Sequence, residues 1–149
     1  MKNVWMLILS SIVFASLVHG QQLILTAKQK QDLYILIDQY AQAREKKDTA
    51  LLKNILTEDV DQLVSSGEWR TGLSESVKGM LKSSESNLGS RKIIVEKIRL
   101  LNSENGIIDA RYEIQNQDGT IRKMWSTFIV VHNRNKWKIS AIRNMLPQH

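Results

Sequence analysis

The apolar positions along the chain change period once, and the change divides it into a mostly helical half and a strand half. From Thr26 to about residue 47 they recur at helical spacing, with Leu33, Ile37, Tyr40 and Arg44 on one stripe and Leu36 and Ala43 beside it. Thr26-Ala27-Lys28-Gln29 opens this segment as a capping box, in which the Thr and Gln side chains each bond to the other's backbone N–H. After a turn at Lys47-Asp48, Asp48 caps a short second helix carrying Leu51, Leu52, Ile55 and Leu56, which Thr57-Glu58-Asp59 ends. Val60-Asp61-Gln62-Leu63-Val64 is strand-like. Ser65-Ser66-Gly67 reverses the chain because glycine accepts the positive φ of a tight turn, and Glu68-Trp69-Arg70-Thr71 returns. Gly72 interrupts the strand. A third helix is predicted over residues 74–86 with Val77, Met80 and Leu81 inward, stopped by Asn87-Leu88-Gly89.

From Ser90 the period is two. Residues 91–101 form a strand whose apolar phase shifts between Ile93/Val95 and Ile98/Leu100, the mark of a β-bulge. Asn105-Gly106 is predicted as a turn. Ile108, Ala110, Tyr112 and Ile114 then alternate with Asp109, Arg111 and Glu113, one face buried and one wet. Asp118-Gly119 is a second hairpin signal. Residues 120–132 carry apolar bulk on both faces, Met124, Phe128 and Val130 against Trp125, Ile129 and Val131, as a strand covered on both sides would. Asn133-Arg134-Asn135 turns into a last strand with Trp137, Ile139, Ala141, Arg143 and Met145 in phase. The single Pro147 lies beyond it, where it removes no ladder bond.

Two helices, a hairpin, a third helix and four strands make an α+β domain: three N-terminal helices packed on a curved antiparallel sheet, with a cone-shaped cavity between the long first helix and the sheet. Residues 1–20 stand apart. Lys2, the uncharged apolar run over 4–18 and Val18-His19-Gly20 read as a secretory signal cut before Gln21, the run being shorter than the roughly 20 residues of a membrane span. The expectation is therefore a signal peptide over 1–20, one domain over 21–149, a secreted or periplasmic location and no stable membrane span after cleavage.

Charge narrows the partners. The chain carries 21 Lys+Arg and 15 Asp+Glu, so loss of Lys2 leaves a net +5, a mildly basic surface that favours anionic ligands. The basic residues form no block. Lys28, Lys30, Arg44, Lys46 and Lys47 read as the solvated face and C-terminal end of the first helix, and no nucleic-acid partner is expected. Without cysteine there is no disulfide, thiolate ligand or thiol nucleophile. Of three histidines, His19 leaves with the signal, His149 is terminal and His132 sits beside a turn. No His/carboxylate spacing holds a metal, and the seven glycines form no phosphate loop or dinucleotide fingerprint. No metal and no cofactor are expected.

The order of elements, the Leu51–Val60 segment, the stretch from Asp61 to Gly72 (DQLVSSGEWRTG), Met124-Trp125-Ser126-Thr127-Phe128-Ile129-Val130-Val131 and the run from Trp137 to Pro147 (WKISAIRNMLP) resemble the nuclear transport factor 2-like superfamily, in its SnoaL-like branch, over nearly the whole chain beyond the signal. The resemblance implies the cystatin-like cone. It also implies the superfamily's range of activities, from isomerases and polyketide cyclases that use a pocket carboxylate or a His-Asp pair to plain binding modules. No His-Asp pair stands here.

Among the residues, Asp61 is the candidate base, since a strand acid beside an aromatic can have its pKa raised by burial; the alternative is an ion-paired strand-end acid. Arg143, in phase with apolar neighbours, is a candidate anion stabiliser or else an ion-pair partner of Asp61, Glu68 or Asp109. Tyr40, Trp69, Tyr112, Trp125 and Asn144 are candidate ligand-binding residues. The leading expectation is a secreted domain with an apolar, aromatic-lined pocket that binds a small apolar or aromatic molecule and dimerises through the outer face of its sheet. The alternatives are a cofactor-independent isomerase or cyclase using Asp61, and a protein-interaction module with a filled cavity.

Overall fold

The first helix opens on the capping box at Thr26. Gln29 N–H donates to Thr26 Oγ1 at 3.1 Å and Thr26 N–H to Gln29 Oε1 at 3.0 Å, which satisfies two donors that a helix start otherwise strands. The computed structural model describes residues 23–147; the signal segment expected over 1–20 and His149 lie outside them. The elements are α1 (Ala27–Lys46), α2 (Thr49–Ile55), β1 (Leu56–Leu63), β2 (Trp69–Thr71), α3 (Leu73–Ser86), β3 (Ser90–Leu100), β4 (Asn105–Gln115), β5 (Ile121–Asn133) and β6 (Lys136–Met145). Asp48 caps α2 through Leu51 N–H as expected. Thr57-Glu58-Asp59 does not end in a loop: it belongs to β1, which starts directly from α2.

The six strands run in the order β2-β1-β6-β5-β4-β3. The sheet is mixed rather than purely antiparallel, because β1 lies parallel to β6. All of α3 and the β3–β6 meander separates these two strands, so no hairpin forces them into opposite directions. The bulge foreseen in β3 falls at Glu96, between the pairs Val95/Ala110 and Lys97/Asp109. A second bulge was not foreseen. Ile129 pairs with Ala141 while its neighbour Val130 pairs with Ile139, leaving Ser140 as the extra residue. Bulges increase twist and bend a sheet, and this one also resets the faces of β6.

The turn between β3 and β4 is at residues 101–104, not at Asn105-Gly106. Asn102 Oδ1 accepts from Glu104 N–H at 2.8 Å and from Asn105 Nδ2 at 3.0 Å, and this side-chain cap closes the turn early. Gly106 is a buried strand residue. A Cβ there would lie 3.2 Å from Leu100 Cδ2 and 3.3 Å from Val130 Cγ2. The turns at Gly67, Gly119 and Arg134-Asn135 form as predicted, the last with both residues at positive φ, as a two-residue hairpin requires.

The sheet's inner face and the helices enclose the core. Leu33, Ile37, Leu52, Val60, Met80, Ile108, Phe128, Val130, Ile139 and Ile142 are all buried. Tyr40 meets Phe128 edge-on, with centroids 5.3 Å apart at 73°. Within β5 the even residues Met124, Ser126, Phe128 and Val130 face in, and Trp125, Ile129 and Val131 face out. Among the described residues no helix is long and apolar enough to cross a membrane.

Phe128 sits where α1 meets the sheet, so its truncation leaves a cavity the rigid strands cannot close. Phe128→Ala is expected to cost about 3–5 kcal/mol of unfolding free energy, read from urea denaturation. A loss under about 1 kcal/mol would mean that Tyr40 and Phe128 do not form the central contact.

Candidate functional site

The buried stripe of α1 changes character along its length. Leu33 and Ile37 are apolar, Tyr40 is amphipathic, and Arg44, one turn further, is a cation only 4% exposed. The helix that closes one end of the cone with hydrocarbon therefore presents a guanidinium at the other. From sequence Arg44 fell on the apolar stripe by spacing and was also grouped with the solvated basic residues; it lies on the stripe, at the eleventh position after Leu33. Its Nε donates to Ser84 Oγ of α3 at 3.2 Å and its Nη1 to Tyr40 Oη at 3.0 Å. No carboxylate pairs with it among the described residues.

Around this end lies a cavity of about 50 Å³ whose wall includes Arg44, Gln62, Ser65, Arg70, Tyr112, Arg122 and Asn144. Alternation places them. Gln62 of β1 pairs with Arg70 of β2, and both face in, with Arg70 Nη1 donating to Gln62 Oε1 at 3.3 Å. Arg122, opposite Ile114, lies in phase with Met124 and Phe128 and reaches Ser65 Oγ at 2.9 Å across the rim. Behind Asn144, Ser126 Oγ donates to Asn144 Oδ1 at 2.7 Å. Tyr112 is 3% exposed, and its hydroxyl has no hydrogen-bond partner.

The charge is unbalanced. Three guanidinium groups line the cavity and no carboxylate among the described residues does; the exposed Glu68, outside its wall, accepts from Arg70 Nε at 2.8 Å. That hydrogen bond, and then the Arg70 charge, hold the Glu68 carboxyl below the usual carboxylate range. Burial pushes the Tyr40 hydroxyl above the ordinary tyrosine value against the opposing pull of Arg44, so Tyr40 is a neutral phenol. Burial also opposes the charge on Arg44, but the Tyr40 and Tyr112 oxygens outweigh it and leave its pKa above the ordinary arginine value.

Arg70 has room because of Gly79. A Cβ on Gly79, midway along α3, would sit 2.6 Å from Arg70 Cζ. A glycine inside a helix costs about 1 kcal/mol relative to alanine; here it opens the trough in which the guanidinium lies.

Of the residues singled out from sequence, Tyr112 and Asn144 line this cavity, and Tyr40 stands behind its wall as a partner of Arg44. Asp61, Arg143, Trp69 and Trp125 do neither. Asp61 and Arg143 form a two-pronged ion pair on the outer face, Arg143 Nη1 to Asp61 Oδ1 at 2.9 Å and Nη2 to Oδ2 at 3.1 Å. The guanidinium carbon of Arg143 stacks 4.7 Å from the Trp69 ring centroid. The bulge at Ser140 is the cause: beyond it Ile142 and Asn144 face in, and Ala141, Arg143 and Met145 face out. Trp69 and Trp125, 53% and 42% exposed, share that outer face, so the cavity is polar rather than apolar and aromatic-lined. The arginines 44, 70 and 122 were missed as site residues. Arg44 was visible on its stripe and Arg122 by its even phase with Met124.

A larger open groove of about 810 Å³ runs between α2 and α3, past Leu73, Val77 and Leu81. All its charged residues (Lys53, Glu58, Lys78, Lys82 and Glu85) are exposed, so no desolvated polar group there awaits a ligand.

No protein-family model matches the chain, and no curated protein matches it. Solved structures do. An NTF2-like protein of unknown function from Shewanella oneidensis superposes with a TM-score of 0.67 at 19% identity, covering 78% of this chain and 98% of its own. A cystatin-like domain of unknown function from Nostoc punctiforme reaches 0.74 at 14% identity, covering 84% and 81%. A Novosphingobium aromaticivorans protein described as a candidate aromatic ring hydroxylase reaches 0.67 at 14% identity, covering 85% and 94%. The chain has the NTF2-like, cystatin-like fold.

Two variants separate the faces. Gly79→Ala is expected to keep the fold but displace Arg70, so the Glu68 pKa, followed by NMR titration, should rise toward its unperturbed value. An unchanged Glu68 would show that Arg70 does not depend on the trough. Asp61→Asn breaks a partly exposed pair and should cost under about 1 kcal/mol in chemical denaturation. A larger loss would show that the pair holds β1 to β6.

Proposed function

We propose that this protein is an exported small-molecule-binding domain that takes its ligand into the polar cavity between Arg44, Arg70, Tyr112 and Arg122. The observation that carries this reading is the Tyr112 hydroxyl. A buried hydroxyl without a partner costs about 1–3 kcal/mol, and it lies in a wall that also holds a desolvated arginine with no carboxylate. A purely structural domain would fill this space with hydrocarbon, as the same cone does around Phe128. The ligand is small and polar, not the apolar or aromatic molecule that the tryptophans suggested. A benzene-sized guest occupies a cavity of about 150 Å³, three times the volume present. For the same reason the hydroxylase description of one fold neighbour lends no support to a ring-shaped substrate here. The isomerase or cyclase reading lacks its base, because Asp61 is ion-paired on the opposite face of the sheet.

Export rests on the sequence of residues 1–20, and the mass of the mature N-terminus tests it. Native mass spectrometry of the protein recovered from its own compartment is expected to show a chain beginning at Gln21 with a discrete small adduct. An adduct-free protein that also binds nothing in a small-molecule screen would overturn the binding reading.

We propose in addition that the protein is a homodimer through the outer face of the sheet, where Trp69, Trp125 and Met145, the last 52% exposed, surround partly buried Ile129 and Val131. Light scattering should give twice the chain mass for the native protein and the single mass for Trp125→Glu. A native monomer at high concentration sinks the dimer.

A further inference from the structure

We infer that the ligand is a short organic carboxylate, seated with its carboxylate against the guanidinium groups of Arg44, Arg70 and Arg122 and accepting a hydrogen bond from the Tyr112 hydroxyl. This rests on the cavity being a binding site, and it adds the ligand's chemistry. Charge is the first argument. Three guanidinium groups and no carboxylate among the described residues line the cavity, and Glu68, outside its wall, bonds Arg70 from the solvent side. A buried charge is costly unless an opposite charge meets it; of the two buried guanidinium groups Arg70 has Glu68 and Arg44 has no carboxylate, which one monoanion would supply. Donors are the second. Arg44 spends its two protein bonds on neutral oxygens, Arg70 divides between Glu68 and Gln62, and Tyr112 has an unused hydroxyl. A guanidinium fork matches the two coplanar oxygens of a carboxylate.

Volume is the third argument. About 50 Å³ is a third of the volume that holds benzene, room for the carboxylate head alone, with any tail lying outside. Asn144 on the wall, its Oδ1 held by Ser126 Oγ, keeps its amide N–H groups to donate to a ligand oxygen. Arg122, exposed and tied to Ser65 across the rim, is the only one of the three arginines open to solvent. It meets an arriving anion first, and a longer tail would leave past it.

The test is calorimetric titration of the full chain, stripped of any retained adduct, with sodium formate, sodium acetate, acetamide and inorganic phosphate. The two carboxylates are expected to bind and the isosteric amide not to. Affinity should stay constant between about pH 6 and pH 8, where neither arginine nor a carboxylate titrates. Tyr112→Phe, which removes one oxygen and leaves the core filled, should weaken carboxylate binding about tenfold. Arg122→Gln, at an exposed position, should weaken it by a similar factor without changing the thermal midpoint of the unliganded protein.

Equal binding of amide and carboxylate, or binding of phosphate in preference to both carboxylates, would overturn the carboxylate and leave the cavity as a binding site. So would a neutral retained adduct that acetate fails to displace. Binding of none of these probes by a protein that also retains nothing would overturn both the carboxylate and the binding site itself.

Discussion

Everything in this fold hangs on one helix face pressed into one sheet. Leu33, Ile37, Tyr40 and Arg44 follow each other along α1, and the strands beneath them change in the same order. Ile108, Phe128 and Ile139 lie under hydrocarbon, while Tyr112, Gln62 and Asn144 lie near the guanidinium. The hydrophobic effect rewards burial of the first group by about 25 cal/mol for each Å² of apolar surface. That reward carries the second group into a place it would not choose. Tyr40 is the hinge of this gradient: its ring packs edge-on against Phe128 and its oxygen accepts from Arg44. Removing the ring would open the core, whereas removing the oxygen would strand the arginine.

The polar end is expensive, and the expense shows in its surroundings. Arg44 is desolvated, with only hydroxyl oxygens as protein acceptors. Gly79 gives up helix propensity to make space for Arg70. Tyr112 forgoes a hydrogen bond. Three separate sacrifices of stability around one small volume are hard to reconcile with a role in folding, since packed apolar residues of similar size commonly serve stability as well or better. A ligand whose charge and acceptors complete the set accounts for all three.

Much of this was legible from sequence, and the misreadings share a cause. The capping box, the helix stripe, the hairpins at Gly67 and Gly119 and the β3 bulge follow from local chemistry, which sequence displays directly. Tyr40, Tyr112 and Asn144 fell on the cavity side because their own phases are undisturbed or were read singly. Arg143 was placed inward by counting twos from Trp137, and the extra residue Ser140 inverts that count. A bulge in a strand whose outer positions are also apolar leaves no trace in the pattern, because Ala141 fits either face. Asn105-Gly106 misled in a similar way: Asn102, three residues earlier, supplies the cap that closes the turn. Nor does any pattern reveal that β1 joins β6 in parallel, since that pairing is decided by where α2 deposits the chain.

The short hairpin of β1 and β2 links the two faces of the protein. Its alternation sends Gln62 and Arg70 into the cavity and Asp61, Leu63, Trp69 and Thr71 outward. Trp69 is tied to Arg143, and Arg143 to Asp61, so the outward side chains form one stacked, ion-paired unit. Whatever fixes that unit also fixes the backbone from which Arg70 projects, because neighbouring residues of a strand share their dihedral angles and differ only in the face they present. In the proposed dimer Trp69 passes from half-exposed to covered, and β2, a three-residue edge strand held by a single partner strand, loses its freedom to fray. Assembly would thus organise the cavity without contributing an atom to it, and the entropy of ordering Arg70 would be met by the interface before the ligand arrives.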